Sequence, residues 1–214
     1  MNKIHLNNAS FYGILDTGYV SETDWVSKCE QLIQGGAGII QLRAKKESLG
    51  KKIELLERIL PLFNENTPPL IINDDIEIAL KFPNLGLHIG QDDIPVKEAR
   101  KQLGNERILG LSTHSIEQAK GAIEQSTLLD YFAVGPVFAT NTKPDYIPVG
   151  LGLVKLVTEL KPPLPFYCIG GINLSNVNQV IDSGGKRVVA VSNVLCANNT
   201  AEAVKQLLAA CKTS

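Results

Sequence analysis

Disulfide and metal-ligand patterns are missing from this chain. Its four cysteines, Cys29, Cys168, Cys196 and Cys211, form no CxxC pair, and its three histidines, His5, His88 and His114, are scattered. That spacing argues against a zinc site and a disulfide framework and favours free thiols. Long hydrophobic runs are missing too. No apolar stretch approaches the roughly 20 residues of a membrane-spanning helix. The opening MNKIHLNNASFYGILD has no signal-peptide apolar region, so a cytoplasmic protein with no membrane partner is expected. Nor is there an excess of one charge. Lys and Arg total 21 against 22 Asp and Glu, a net charge of −1. No global basic field recruits nucleic acid, and any anion binding must be local. Low-complexity tracts and linkers are absent as well.

What remains is an ordinary globular balance: 214 residues, 44% hydrophobic and 20% charged. One domain spanning residues 1–214 fits this length. Eight apolar runs of strand length recur: 11–16, 38–43, 69–73, 86–90, 107–112, 130–135, 165–170 and 187–192. They are nearly continuously apolar, as parallel strands covered on both sides must be. Helical stretches lie between them, at 21–36, 48–66, 75–82, 96–104, 115–125, 150–160, 173–184 and 199–212. Ser21 with Asp24, and Ser115, are cap-like starts. Unbroken alternation of eight strands and eight helices predicts a (β/α)8 TIM barrel of the α/β class, with a doubly wound open sheet as the alternative.

A barrel of this type places its chemistry at the C-terminal ends of its strands. Read there, strand two ends in Gln41, Arg43 and Lys45, strand three in Asn73-Asp74-Asp75, and strand four in Gly90-Gln91-Asp92-Asp93. Strand five ends in Ser112-Thr113-His114. Strand six leads through GPVFATNTK to Thr140, Thr142 and Lys143. Any one of these reads most simply as a polar turn. Together they mix cations, carboxylates and hydroxyls at one rim, which suits a metal–phosphate site. After strands seven and eight, CIGGINLSN and VAVSNVL supply glycines and helix starts whose N–H groups can cradle a second phosphate. His88, alternating with apolar residues, reads as a hydrogen-bonded barrel histidine. His114 reads as a cap or loop residue and Trp25 as packing.

QLRAK (41–45), LIINDD (70–75), GLHIGQDDIP (86–95), GLSTHS (110–115), DYFAVGPVFATNTK (130–143), IGGI (169–172) and VAVSNV (189–194) together resemble the thiamine phosphate synthase family over almost the whole chain. The resemblance implies a small TIM barrel acting on small-molecule substrates. With Mg²⁺, a hydroxymethylpyrimidine diphosphate is joined to a thiazole phosphate, giving thiamine phosphate and pyrophosphate. By match to the family's motifs, Gln41, Arg43 and Lys45 hold the pyrimidine diphosphate, and Asn73, Ser112 and Lys143 complete that subsite. Lys143, Arg43 and Lys45 are the charge-stabilising catalytic set. Asp74 and Asp93 hold Mg²⁺. Thr140 and Thr142 contact the thiazole phosphate, with Gly171 and the Val191-Ser192 backbone on its far side. The implied substitution is dissociative and needs no general base, consistent with the missing His or Cys constellation.

Two departures stand out. Asp75 follows the Asn-Asp pair and adds charge near the metal, and Lys186-Arg187 precede strand eight. The nearest rival, the thiazole tautomerase, uses a histidine after strand six, where this chain has Pro136. A non-catalytic phosphate-binding barrel is the reading from another class.

Overall fold

The structure is a computed structural model that describes residues 6, 8–140, 142 and 147–212. Its sheet is a closed barrel of parallel strands in sequence order. These are β1 (Phe11–Asp16), β2 (Ile39–Arg43), β3 (Leu70–Asn73), β4 (Gly86–Ile89), β5 (Leu109–Thr113), β6 (Tyr131–Val134), β7 (Phe166–Ile169) and β8 (Val188–Ala190). β1 pairs with β2, Tyr12 opposite Ile39, and with β8, Phe11 opposite Val188. That second pairing closes the sheet and excludes the doubly wound alternative. Burial on both faces explains the apolar runs: β1 and β6 are buried at every position.

Around the barrel lie α1 (Trp25–Gln34), α2 (Leu49–Ile59), α3 (Ile76–Lys81), α4 (Val96–Leu103), α5 (Ile116–Glu124), α6 (Gly150–Glu159), α7 (Val177–Asp182), a short α8 (Ser192–Leu195) and α9 (Thr200–Lys212). Their apolar faces cover the sheet. On α2, Leu55, Leu56 and Ile59 are buried, each stabilising the fold by about 1.5–3 kcal/mol relative to exposure. Ser48, Asp75 and Ser115 cap α2, α3 and α5, accepting from the N–H groups of Lys51, Ile78 and Gln118.

Three local expectations are revised. Ser21 donates its hydroxyl to Asp24 Oδ2 at 2.6 Å and makes no backbone cap, so a 3₁₀ turn precedes α1. The helix expected over 48–66 ends at Ile59 and tightens into a 3₁₀ turn over Leu60–Leu62, because Pro61 has no N–H to continue the ladder. The helix expected from Asn173 starts only at Val177. Asn173 Oδ1 instead accepts from the Ser175 N–H, and Asn176 Oδ1 from the Asn173 N–H, a side-chain turn that competes with helix. Among the described residues no helix is long and apolar enough to cross a membrane.

The barrel interior below its C-terminal rim is filled by tyrosines. Tyr12, Tyr131 and Tyr167 meet edge to face, with ring centroids 5.5–5.6 Å apart. Gly110 on β5 makes this possible: a Cβ there would lie 2.1 Å from Tyr131 Cζ. The tyrosines form the floor of the site.

Candidate active site

A cavity of about 230 Å³ opens at the C-terminal rim. It is lined by Gln41, Arg43, Lys45, Asn73, Asp74, Asp93, Ser112, Thr140, Thr142, Gly171, Val191 and Ser192, residues contributed by seven strand ends. Lys143 lies outside the described residues.

The cationic side is anchored from β1. Asp16, at the end of that strand, is buried and takes Arg43 Nη1 at 2.6 Å and the Gly18 N–H at 2.9 Å. An arginine held by a buried carboxylate is pre-aimed, and the remaining donors of its planar guanidinium suit a bidentate partner such as phosphate. Asp16 was not anticipated from the sequence. Its signal was available, because it is the polar residue at a strand's C-terminal end, the criterion applied to strands two to eight.

Asp74 and Asp93 face one another at the ends of β3 and β4. Asp74 sits in the left-handed region at φ 63, its N–H donating to the His88 carbonyl at 2.8 Å. Such a conformation costs free energy in a non-glycine residue and concentrates at functional sites. Lys45 Nζ is 2.8 Å from Asp74 Oδ2. Asp93 accepts from the Gly90 N–H at 2.7 Å. Partial burial raises the Asp93 pKa above the ordinary carboxyl range, and the neighbouring charge of Asp74 adds to the rise, against the lowering effects of the Gly90 N–H and Lys45. Two neighbouring carboxylates form a donor set that suits a divalent cation. Mg²⁺ needs only one or two protein carboxylates, keeping waters and taking phosphate oxygens for the rest. Asp75, expected to add charge here, is committed instead to capping α3 and to Lys52 at 3.1 Å.

GPVFATNTK does two things. Its first part continues the sheet: the Val137 and Phe138 N–H groups donate to the Ile169 and Gly170 carbonyls at 2.8 and 3.0 Å. Val137 is buried and Phe138 packs on the core. Beyond that anchor, Thr140 and Thr142 turn to the cavity, and Thr142 Oγ1 is 3.0 Å from Tyr19 Oη of the loop after β1. His114 Nδ1 bonds the Gly135 carbonyl at 2.5 Å, so His114 fixes the base of this segment.

Beside this segment lies the glycine turn after β7. Gly170 and Gly171 have φ 107 and 63. A Cβ on Gly171 would meet the Ala139 carbonyl at 2.5 Å, so only glycine lets the two loops approach. The Gly171 carbonyl is tied by Asn173 Nδ2 and Asn176 Nδ2. Beside it α8 opens at Ser192, and the first N–H groups of a helix have no partner within it. Small backbone groups and one helix start thus line the same cavity as the threonines, an arrangement able to take a phosphate.

Compared with known proteins, residues 11–194 match the family model described as thiamine monophosphate synthase. A thiamine-phosphate synthase of Shouchella clausii is 38% identical over 200 residues, 93% of this chain and 94% of that one. Another, of Halalkalibacterium halodurans, is 42% identical over 171 residues, 79% of this chain and 80% of that one. Among solved structures, a thiamine phosphate pyrophosphorylase from Pyrococcus furiosus superposes with a TM-score of 0.84 at 26% identity, covering 99% of this chain and 98% of that chain.

Proposed function

The chain belongs to the thiamine monophosphate synthase family, and from that premise we propose how its rim site does the work of a thiamine-phosphate synthase. The enzyme joins a hydroxymethylpyrimidine diphosphate to a thiazole phosphate. The observation that carries this reading is the meeting in one cavity of Arg43, held from behind by Asp16, the Asp74–Asp93 pair with Lys45, and the threonine-lined second subsite.

The carbon–oxygen bond between the pyrimidine methylene and the diphosphate breaks first, and the bonding electrons leave with pyrophosphate. The electron-rich aminopyrimidine carries the resulting positive charge. The thiazole nitrogen donates its lone pair to the methylene, forming the carbon–nitrogen bond. That nitrogen has no proton to lose, so no base is required.

The residues act by placement and charge. Arg43, aimed by Asp16, and Lys45 bind the diphosphate, and their charge is most effective as negative charge grows on the leaving group. Lys143 joins them by its place in the GPVFATNTK motif. Gln41, Asn73 and Ser112 orient the pyrimidine. Thr140, Thr142, Gly171 and the backbone at Val191 and Ser192 seat the thiazole phosphate, which brings the nucleophile to the methylene and turns a two-substrate encounter into a local one. Asp74 and Asp93 would hold Mg²⁺, whose charge neutralises diphosphate oxygens when bound. The protein works in the cytoplasm.

Supplying both phosphorylated halves with Mg²⁺ and following products by chromatography tests the assignment. Thiamine phosphate should form. Isomerisation of the thiazole phosphate alone, without coupling, would transfer the chain to the tautomerase side of its family.

A further inference from the structure

Beneath the cavity, polar groups follow one another across an otherwise apolar barrel. Gln41 Nε2 donates to Tyr12 Oη at 2.7 Å. Tyr12 Oη is 2.8 Å from Tyr131 Oη, which is 3.0 Å from His88 Nδ1. His88 Nε2 is 2.9 Å from Ser112 Oγ. Gln41 and Ser112, the two ends, border the cavity, as do Tyr12 and His88 at its floor, while Tyr131 lies beneath it. The tyrosines between them are 1% and 0% exposed.

Counting hydrogens gives this series a direction. Burial pushes both tyrosines well above their ordinary pKa, so each keeps a proton to donate. An amide nitrogen can only donate. Tyr12 Oη therefore accepts from Gln41 and passes its own proton to Tyr131. Tyr131, having accepted from Tyr12, donates to His88 Nδ1. An imidazole that accepts at Nδ1 carries its hydrogen on Nε2, and that hydrogen goes to Ser112 Oγ. The reverse arrangement, with hydrogen on Nδ1, would leave the proton of the fully buried Tyr131 without this acceptor, a costly arrangement in a protein interior. Ser112 has by then accepted from within, and its own proton is left for the cavity.

We propose that Tyr12, Tyr131 and His88 are positioning residues that form a one-way hydrogen-bond relay from Gln41 to Ser112 and so fix Ser112 as a hydrogen-bond donor toward the pyrimidine substrate. The inference rests on the assignment of Ser112 to the pyrimidine subsite. It adds a selection rule: the group opposite Ser112 must be an acceptor, an unprotonated ring nitrogen or an oxygen. It also gives a reason for tyrosine where phenylalanine would fill the same space, and for the missing side chain at Gly110 that admits the Tyr131 ring.

Two measurements test it. In the wild-type protein labelled with ¹⁵N-histidine, the His88 ring should show a bare Nδ1 and a protonated Nε2, assigned by the signals lost in His88→Gln. Hydrogen on Nδ1 would overturn the relay, and this readout is independent of any activity. In kinetics, Tyr131→Phe should raise KM for the pyrimidine diphosphate about tenfold, the worth of one hydrogen bond, and leave KM for the thiazole phosphate within about twofold. Added to Ser112→Ala, it should cost nothing further, because both changes remove the same contact. Equal rises in both KM values, or full multiplication of the two effects, would show general loosening and overturn the proposal. If Tyr131→Phe does not fold, the wild-type NMR result decides. Absence of any turnover in the wild type would count against the synthase reading, while the imidazole signals still decide the relay.

Discussion

Asp16 offers the sharpest perturbation, because it touches Arg43 from behind and contributes no group to the cavity lining. Its side chain is 3% exposed, and that of Arg43 is 16% exposed. Breaking a buried ion pair by removing one partner costs about 3–5 kcal/mol. Arg43 keeps some contact with water, so Asp16→Ala should cost about 2–3 kcal/mol, somewhat below that range. At roughly 2–4 °C per kcal/mol for a chain of this size, the Tm should fall by about 4–12 °C. The catalytic effect follows from lost aim: a guanidinium displaced by about 1 Å can cost on the order of a hundredfold. Asp16→Asn preserves size and the bond from Gly18 but exchanges a charge-assisted bond for a neutral one, worth about 1 kcal/mol. It should lose roughly fivefold in kcat/KM for the pyrimidine diphosphate. Thermal unfolding by circular dichroism and steady-state pyrophosphate release read the two effects separately. Asp16→Ala with wild-type Tm and unchanged kcat/KM would refute the claim that Asp16 holds Arg43 in its working position.

Asp93→Asn should stabilise the metal-free protein, because it removes the like charge facing Asp74 while keeping an acceptor for Gly90. The gain expected is about 0.5–1 kcal/mol, a Tm rise of about 1–4 °C, and added Mg²⁺ should raise the Tm of the wild type but not of the variant. The sign with pH is fixed: Asp93 is raised in the folded state, so its contribution is full below the ordinary carboxyl range and is lost as pH rises through the raised value. Asp93→Asn should flatten that slope, and an unchanged slope in pH-dependent melting would count against the pairing. Lys143→Ala should lower kcat roughly a hundredfold or more with a smaller change in KM; near-normal kcat in a folded variant would return that stretch to an ordinary loop. Gly171→Ala places a side chain at φ 63, 2.5 Å from the Ala139 carbonyl. It should destabilise by roughly 1–3 kcal/mol and raise KM for the thiazole phosphate more than for the pyrimidine diphosphate, read by melting and by kinetics with each substrate varied.

The fold was legible because parallel strands buried on both faces leave apolar runs that need no partner to recognise. Helix stops were less so: Pro61 ended α2 where its amphipathic pattern continued, and the Asn173–Asn176 turn displaced the start of α7. Much of the rim could be read by taking the last residue of each strand. Asp16 escaped because FYGILD reads as a strand to its last letter, and its partner Arg43 is 27 residues away. Tyr12 and Tyr131 escaped for a different reason. A tyrosine in an apolar run reads as packing, and it is packing. Only geometry shows that its hydroxyl also carries a hydrogen-bond direction from Gln41 to Ser112.

The most direct measurement of the central claim is pyrophosphate release with one component omitted at a time. With pyrimidine diphosphate, thiazole phosphate and Mg²⁺ together, the account predicts pyrophosphate and thiamine phosphate in equal amounts, and neither product in quantity when any one component is left out. Pyrophosphate released at the same rate without the thiazole phosphate would mean that water, not the thiazole nitrogen, captures the methylene. That result would contradict the reading of the threonine-lined pocket as the nucleophile's seat.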